Sequence, residues 1–161
     1  MITNETIERG SVMTVIGDFI ALTKPRVMSL LLVSAIAGAF VGMGSTPTTT
    51  VLIAVLVGGA LASGGAASLN MAYEAELDLK MGRTKNRPVA EGRISARTAV
   101  IYGLLLNVAA FAVLALMTNV LAASLAIAGT ALYFGLYTVV LKRTTTQNIV
   151  VGGAAGAVPP L

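Results

Sequence analysis

The sequence contains neither cysteine nor histidine. Without cysteine there is no disulfide, no thiolate metal site and no cysteine nucleophile. Without histidine, the usual general base, the commonest zinc ligand and the usual haem axial ligand are missing. A metal held by this chain must therefore be held by oxygen, which favours magnesium or another hard cation. Charge is scarce too. Charged residues make up 11% of the 161, against about 25% in an ordinary soluble domain, and the mean hydropathy is +0.86. That composition excludes a soluble protein. The net charge of +4 then reports topology rather than nucleic-acid binding, because no soluble domain exists to carry such an interface.

Long apolar runs separated by short polar breaks fill most of the chain. They predict an all-α fold, a polytopic transmembrane bundle with four full spans at about 22–43, 51–78, 96–117 and 120–141. Each is long enough for a hydrocarbon core of roughly 30 Å. A fifth apolar run, 149–161, stops before it can cross, so the chain is expected to be the first half of a longer protein. Residues 1–20 read as a polar tail followed by an interfacial segment from Val12. Glu5 and Glu8 precede its apolar part, which argues against a signal peptide. Thr23 and Pro25 predict a helix start, the one as cap and the other in the first turn. The small-residue run Gly58–Ser68 predicts close helix packing in lipid.

Loop charge sets the orientation. The turns at 44–50 and 118–119 carry none, whereas the tail, the loop at 79–97 and the loop at 142–148 carry the basic residues. The positive-inside rule places those three on the cytoplasmic side. The expected location is thus a bacterial cytoplasmic (inner) membrane, in contact with the lipid bilayer.

One stretch breaks the apolar pattern. Ser68–Pro88 holds three of the seven acidic residues, Glu74, Glu76 and Asp78, and then Lys80, Arg83, Lys85 and Arg87. Such charge beside a membrane is costly and usually marks function. Asn70, Glu74 and Asp78 are spaced i, i+4, i+8. On a continuous helix ending at Gly82 they drift by about 40° per step and span roughly 12 Å on one face, with Tyr73 flanking it and Glu76 pointing away. Oxygen donors followed by basic residues suit magnesium with a diphosphate. A solvated helix end held by ordinary ion pairs is the plain alternative, and residue types alone leave both open.

The pattern Asn70-x-x-x-Glu74-x-x-x-Asp78 followed by Arg83–Pro88 resembles the first acidic motif of the UbiA-type intramembrane prenyltransferases. Leu22–Leu32 (LTKPRVMSLLL) and Gln147–Leu161 (QNIVVGGAAGAVPPL) resemble the haem-farnesylating branch of that superfamily. The likeness runs from about Ala21 to Leu161. It implies Mg2+ as cofactor, farnesyl diphosphate as donor and haem B as acceptor, with haem O supplied to terminal oxidases. It also implies association with haem A synthase or oxidase-assembly proteins. Asn70, Glu74 and Asp78 would form the first metal–diphosphate site. Arg83, Lys85, Arg87 and Lys142 would bind the diphosphate. Tyr73, Tyr137, Gln147 and Asn148 become pocket candidates. Glu74 and Glu76 depart from the family, which has Asp at these places. The family's second acidic motif is absent from this chain, so the chain alone is expected to be inactive. The competing readings are prenylation of an aromatic acid, and a non-catalytic transporter or assembly subunit.

Overall fold

The computed structural model describes residues 12–141, 153 and 156–160. Its elements are α1 (Val12–Leu22), α2 (Pro25–Met43), α3 (Thr49–Tyr73), α4 (Ala75–Leu79), α5 (Ala96–Met117) and α6 (Val120–Ala131). A π-helical segment, Leu132–Leu141, continues α6. Every regular element among the described residues is helical. Four helical stretches, Pro25–Met43, Thr49–Tyr73, Ala96–Met117 and Val120–Leu141, are long and apolar enough to cross a membrane. The all-helical expectation with four spans therefore stands. Most of the fifth run lies outside the described residues.

Side-chain oxygens start three of these helices. The Val51 amide donates to Thr48 Oγ1, the Thr98 amide to Ser95 Oγ, and the Ala122 amide to Asn119 Oδ1. Each satisfies a donor that the first helical turn leaves without a partner. The start of α2 differs from expectation. Thr23 closes α1 instead, its hydroxyl donating to the Ile20 carbonyl at 2.8 Å. Lys24 takes the N-cap position in a left-handed conformation, φ 50° and ψ 63°, with Pro25 next. Proline disfavours the α conformation in the residue before it, so the chain turns there rather than running on.

Helix α3 packs chiefly against α5 through small residues, as the Gly58–Ser68 run predicts. A Cβ added at Gly65 would lie 2.7 Å from the Gly103 carbonyl oxygen, and one at Gly103 2.9 Å from that of Gly65. A Cβ at Gly58 would lie 2.5 Å from Leu114 Cγ. Hydrogen bonds add a link from α3 to α5 through Ser68 and one from α5 to α6 through Asn107. Ser68 Oγ donates to the Ala99 carbonyl at 2.7 Å, and Asn107 Nδ2 donates to the Gly103 carbonyl at 2.8 Å while its Oδ1 accepts from Thr130 Oγ1. In lipid the dispersion gained at close backbone approach replaces the hydrophobic drive available in water.

Helix α2 is arranged otherwise. None of its residues is buried; it packs on α3 along one side, Leu32 against Gly59, and stands apart from α6. A cavity of about 960 Å³ separates them.

At the charged end the loop after α4 is folded rather than extended. Val89 and Ile94 bury with Leu22, Met71 and Ala99, and Phe19, Ala72 and Tyr102 pack around them. Phe19 meets Tyr102 edge-on at 5.0 Å. Gly92, with φ 76°, supplies the left-handed turn that returns the loop to α5.

Candidate functional site at the charged end of the bundle

The helix carrying the acidic residues does not run straight to Gly82. It breaks at Glu74 (φ −93°, ψ 4°), and α4 stops at Leu79. Two contacts stop it early. The Lys80 amide bonds three residues back to Leu77, and Thr84 Oγ1 donates to the Asp78 carbonyl at 3.1 Å. That carbonyl is one a further helical turn would need. Across the break the Glu74 amide still donates to the Asn70 carbonyl (3.0 Å) and the Asp78 amide to the Glu74 carbonyl (2.8 Å). The four-residue spacing of Asn70, Glu74 and Asp78 therefore survives.

All three side chains are buried, at 3%, 5% and 3% exposure. A buried carboxylate needs a cation or several donors, and Asp78 has a cation. Arg87 Nη1 donates to its Oδ1 at 2.9 Å and to its Oδ2 at 2.7 Å. Asn70 is a junction. Its Oδ1 accepts from Lys24 Nζ at 2.6 Å, and its Nδ2 donates to Thr138 Oγ1 at 3.2 Å. Thr138 Oγ1 in turn donates to the Tyr133 carbonyl, five residues earlier. The π-helical register makes this bond, and π segments recur at functional sites.

The structure brings together part of the predicted set. Arg87 reaches the acidic face, whereas Arg83 and Lys85 are exposed on the loop. Glu76 is exposed as well. Tyr137 lines the cavity and stacks on Tyr133 at 5.8 Å. Tyr73 does not line it; its ring packs edge-on against Phe134 at 6.1 Å. Lys142, Gln147 and Asn148 lie outside the described residues.

Sequence reasoning missed three members. Lys24 stands apart from the acidic motif in the sequence, and nothing there points to its bond with Asn70. Thr138 and Tyr133 were unassigned. An i, i+5 contact is invisible to a reading that assumes an α-helix. For Asn70 a signal existed: a buried amide needs both an acceptor and a donor as partners.

The cavity connects these parts. It extends from Lys24 and Tyr137 at the charged end to Met117 and Asn119 at the other. Its walls are mostly apolar side chains of α2, α3 and α6. Asn70, Glu74 and Asp78 do not line it. Lys24 does, so its ammonium group links the apolar chamber to the acidic face. The donor set, buried carboxylate and amide oxygens, suits a hard cation. Among the described residues, no three acidic side chains gather as a closed metal cage, and Asn70 and Asp78 are held by cations of the chain itself.

Comparison with known proteins bears on what such a site does. Residues 31–161 match the family described as the UbiA prenyltransferase family. A protein of Chloroflexus aurantiacus named protoheme IX farnesyltransferase is 48% identical over 148 residues, covering 92% of this chain and 25% of the relative. A protein of that name from a Synechococcus species is 46% identical over 154 residues, covering 96% and 46%. The one from Thermus thermophilus is 45% identical over 157 residues, covering 98% and 26%. The chain thus spans between about a quarter and a half of the length of these relatives. No solved structure matches it.

Proposed function

The chain belongs to the UbiA prenyltransferase family, and from that premise we propose that it forms part of a membrane farnesyltransferase. The enzyme takes a farnesyl group from farnesyl diphosphate and adds it to a vinyl group of haem B, giving haem O. The names of the relatives support these substrates. The observation that carries the reading is the meeting of an apolar cavity with a charged rim at Lys24. A volume of about 960 Å³ is at the upper end of the usual range for small-molecule sites, roughly 300–1,000 Å³, and holds an isoprenoid chain. The charged end faces the cytoplasm, and the membrane is the bacterial inner membrane.

In this mechanism the allylic C–O bond of the donor breaks heterolytically and diphosphate leaves with the electron pair. The allylic cation is attacked by the vinyl group, and water then adds and loses a proton to complete the hydroxyethylfarnesyl group. Lys24 and Arg87, which pair with Asn70 and Asp78, turn to the phosphate oxygens and stabilise the charge developing there. Arg83, Lys85 and Lys142 add positive potential at the mouth. Asn70, Glu74 and Asp78 would hold magnesium, which supplies Lewis acidity and charge neutralisation at the leaving group. The aliphatic walls exclude water until the cation has been captured. Tyr133 and Tyr137 line the cavity, and aromatic rings attract cations. Gln147 and Asn148 remain pocket candidates.

The test uses a chimera in which this chain replaces the aligned part of the Synechococcus relative, 46% of that protein. In membrane vesicles supplied with farnesyl diphosphate, haem B and magnesium, the chimera is expected to form haem O and the chain alone none. Prenylation of 4-hydroxybenzoate instead of haem B would move the assignment to an aromatic-acid enzyme. Turnover by the chain alone would refute the claim that it holds only part of the site.

Lys24 gives a second test. Lys24→Met in the chimera keeps the length of the side chain and removes the ammonium group. Loss of one charge-assisted hydrogen bond of about 1.5–3 kcal/mol predicts a fall of roughly tenfold to a hundredfold in kcat/KM for farnesyl diphosphate. Unchanged kinetics would remove Lys24 from the site.

A further inference from the structure

Asp78 meets Arg87, and Arg87 stands on a loop that is braced from outside the site. Arg93 does the bracing. Its Nε donates to both carboxylate oxygens of Asp18 on α1, at 3.1 and 3.0 Å, and its Nη2 lies 3.0 Å from Asp18 Oδ1. The same Nη2 donates to the Asn86 carbonyl at 3.4 Å, at the peptide bond joining Asn86 to Arg87. Glu91 also pairs with Arg93, and the Glu91 amide donates to the Arg87 carbonyl at 2.9 Å. Both sides of Arg87 are thereby tied down.

Helix α1 is the other end of the brace. Phe19 and Leu22 pack into the charged-end core with Val89 and Ile94 of the same loop. Val12, Met13, Val15, Ile16 and Ile20 are exposed and apolar. A helix with such a face, joined by two residues to a membrane span, lies in the bilayer interface.

We propose that Asp18 and Arg93 are positioning residues for the diphosphate end of the site: they clasp the Arg87-bearing loop to the membrane-embedded helix α1. Neither touches the acidic face. They act by fixing the backbone from which Arg87 reaches Asp78 and, on the prenyl-transfer reading on which this inference rests, the diphosphate. An arginine held in place in advance binds phosphate without first ordering its loop. Cutting the clasp therefore weakens donor binding while leaving bond cleavage nearly untouched.

Two measurements decide it. The chain has no cysteine, so Asn86→Cys provides a unique site for a nitroxide spin label on the exposed side of the loop. In vesicles of phosphatidylethanolamine and phosphatidylglycerol, the label on the chain is expected to be strongly immobilised. Asp18→Ala and Arg93→Ala each release it, and Asp18→Glu keeps it immobile. Equal mobility in all four backgrounds overturns the clasp. In the chimera, each alanine variant is expected to raise KM for farnesyl diphosphate about fivefold, with kcat within about twofold, the size of one partly exposed ion pair. The double variant resembles either single one, because both cut the same connection. A fall in kcat with KM unchanged, or additive effects, also counts against it. A chimera with no activity would count against the prenyl-transfer reading, while the spin label still decides the clasp.

Discussion

Asp78→Asn in the chimera is expected to lower haem O formation by about 100-fold, with the protein still reaching the membrane in normal amount. The substitution preserves shape and one acceptor oxygen but removes the charge. In the structure that charge faces Arg87 at 2.7 and 2.9 Å from inside the fold. Two roles are superposed there. As partner of Arg87, Asp78 contributes a charge-assisted pair of about 1.5–3 kcal/mol. As an oxygen donor it would, on the proposed prenyl-transfer reading, complete the metal–diphosphate shell. Arg87→Ala separates them. If Asp78 serves only to hold Arg87, the two variants lose the same activity and the double variant loses no more. If Asp78 is a ligand in its own right, Asp78→Asn is the deeper loss. Arg87 is a quarter exposed and can turn to water when its partner loses charge, so the fold survives. Activity retained in Asp78→Asn, measured by chromatography of extracted haem, would remove Asp78 from the chemistry.

The second large effect is on folding. Gly65→Ala is expected to destabilise the bundle by about 1–3 kcal/mol, whereas Gly42→Ala is expected to stabilise it by up to about 1 kcal/mol. Both glycines lie inside helices and differ only in surroundings. A Cβ at Gly42 has no other atom within 4 Å, so alanine simply removes the entropic penalty of glycine. A Cβ at Gly65 collides with the Asn107 amide and lies 2.7 Å from the Gly103 carbonyl oxygen. Backbone cannot yield as a flexible side chain does, so α3 and α5 must separate. The clash with the Asn107 amide also strains its bonds to Gly103 and Thr130. Thermal unfolding in detergent of the two variants, side by side, reads the opposite signs. A Gly65→Ala protein as stable as its parent would mean that α3 and α5 do not pack at this register.

The amino-acid sequence alone determined a good deal. Scarce charge and long apolar runs fixed a membrane bundle with four spans, because only a helix satisfies its own backbone in lipid. The absence of histidine and cysteine left oxygen as the metal ligand. The four-residue spacing of Asn70, Glu74 and Asp78 placed them on one face, and local hydrogen bonds keep that spacing even across the break at Glu74. Those are short-range consequences of residue type and helical period.

Tertiary structure decided what touches what. Lys24 lies forty-six residues from Asn70 along the chain, and Thr138 sixty-eight from it; no period links them. Their meeting depends on how α2, α3 and the π segment converge. The same holds for Arg93 and Asp18, seventy-five residues apart. The early stop of α4 at Leu79 follows from a loop hydroxyl capturing the Asp78 carbonyl, and Gly82 had no part in it. The charges of the basic stretch are conspicuous in the sequence, but they do not fold it. Val89 and Ile94, the few apolar residues in it, are what fold it back against α1, and so put Arg87 beside the acidic stretch while Arg83 and Lys85 stay in solvent.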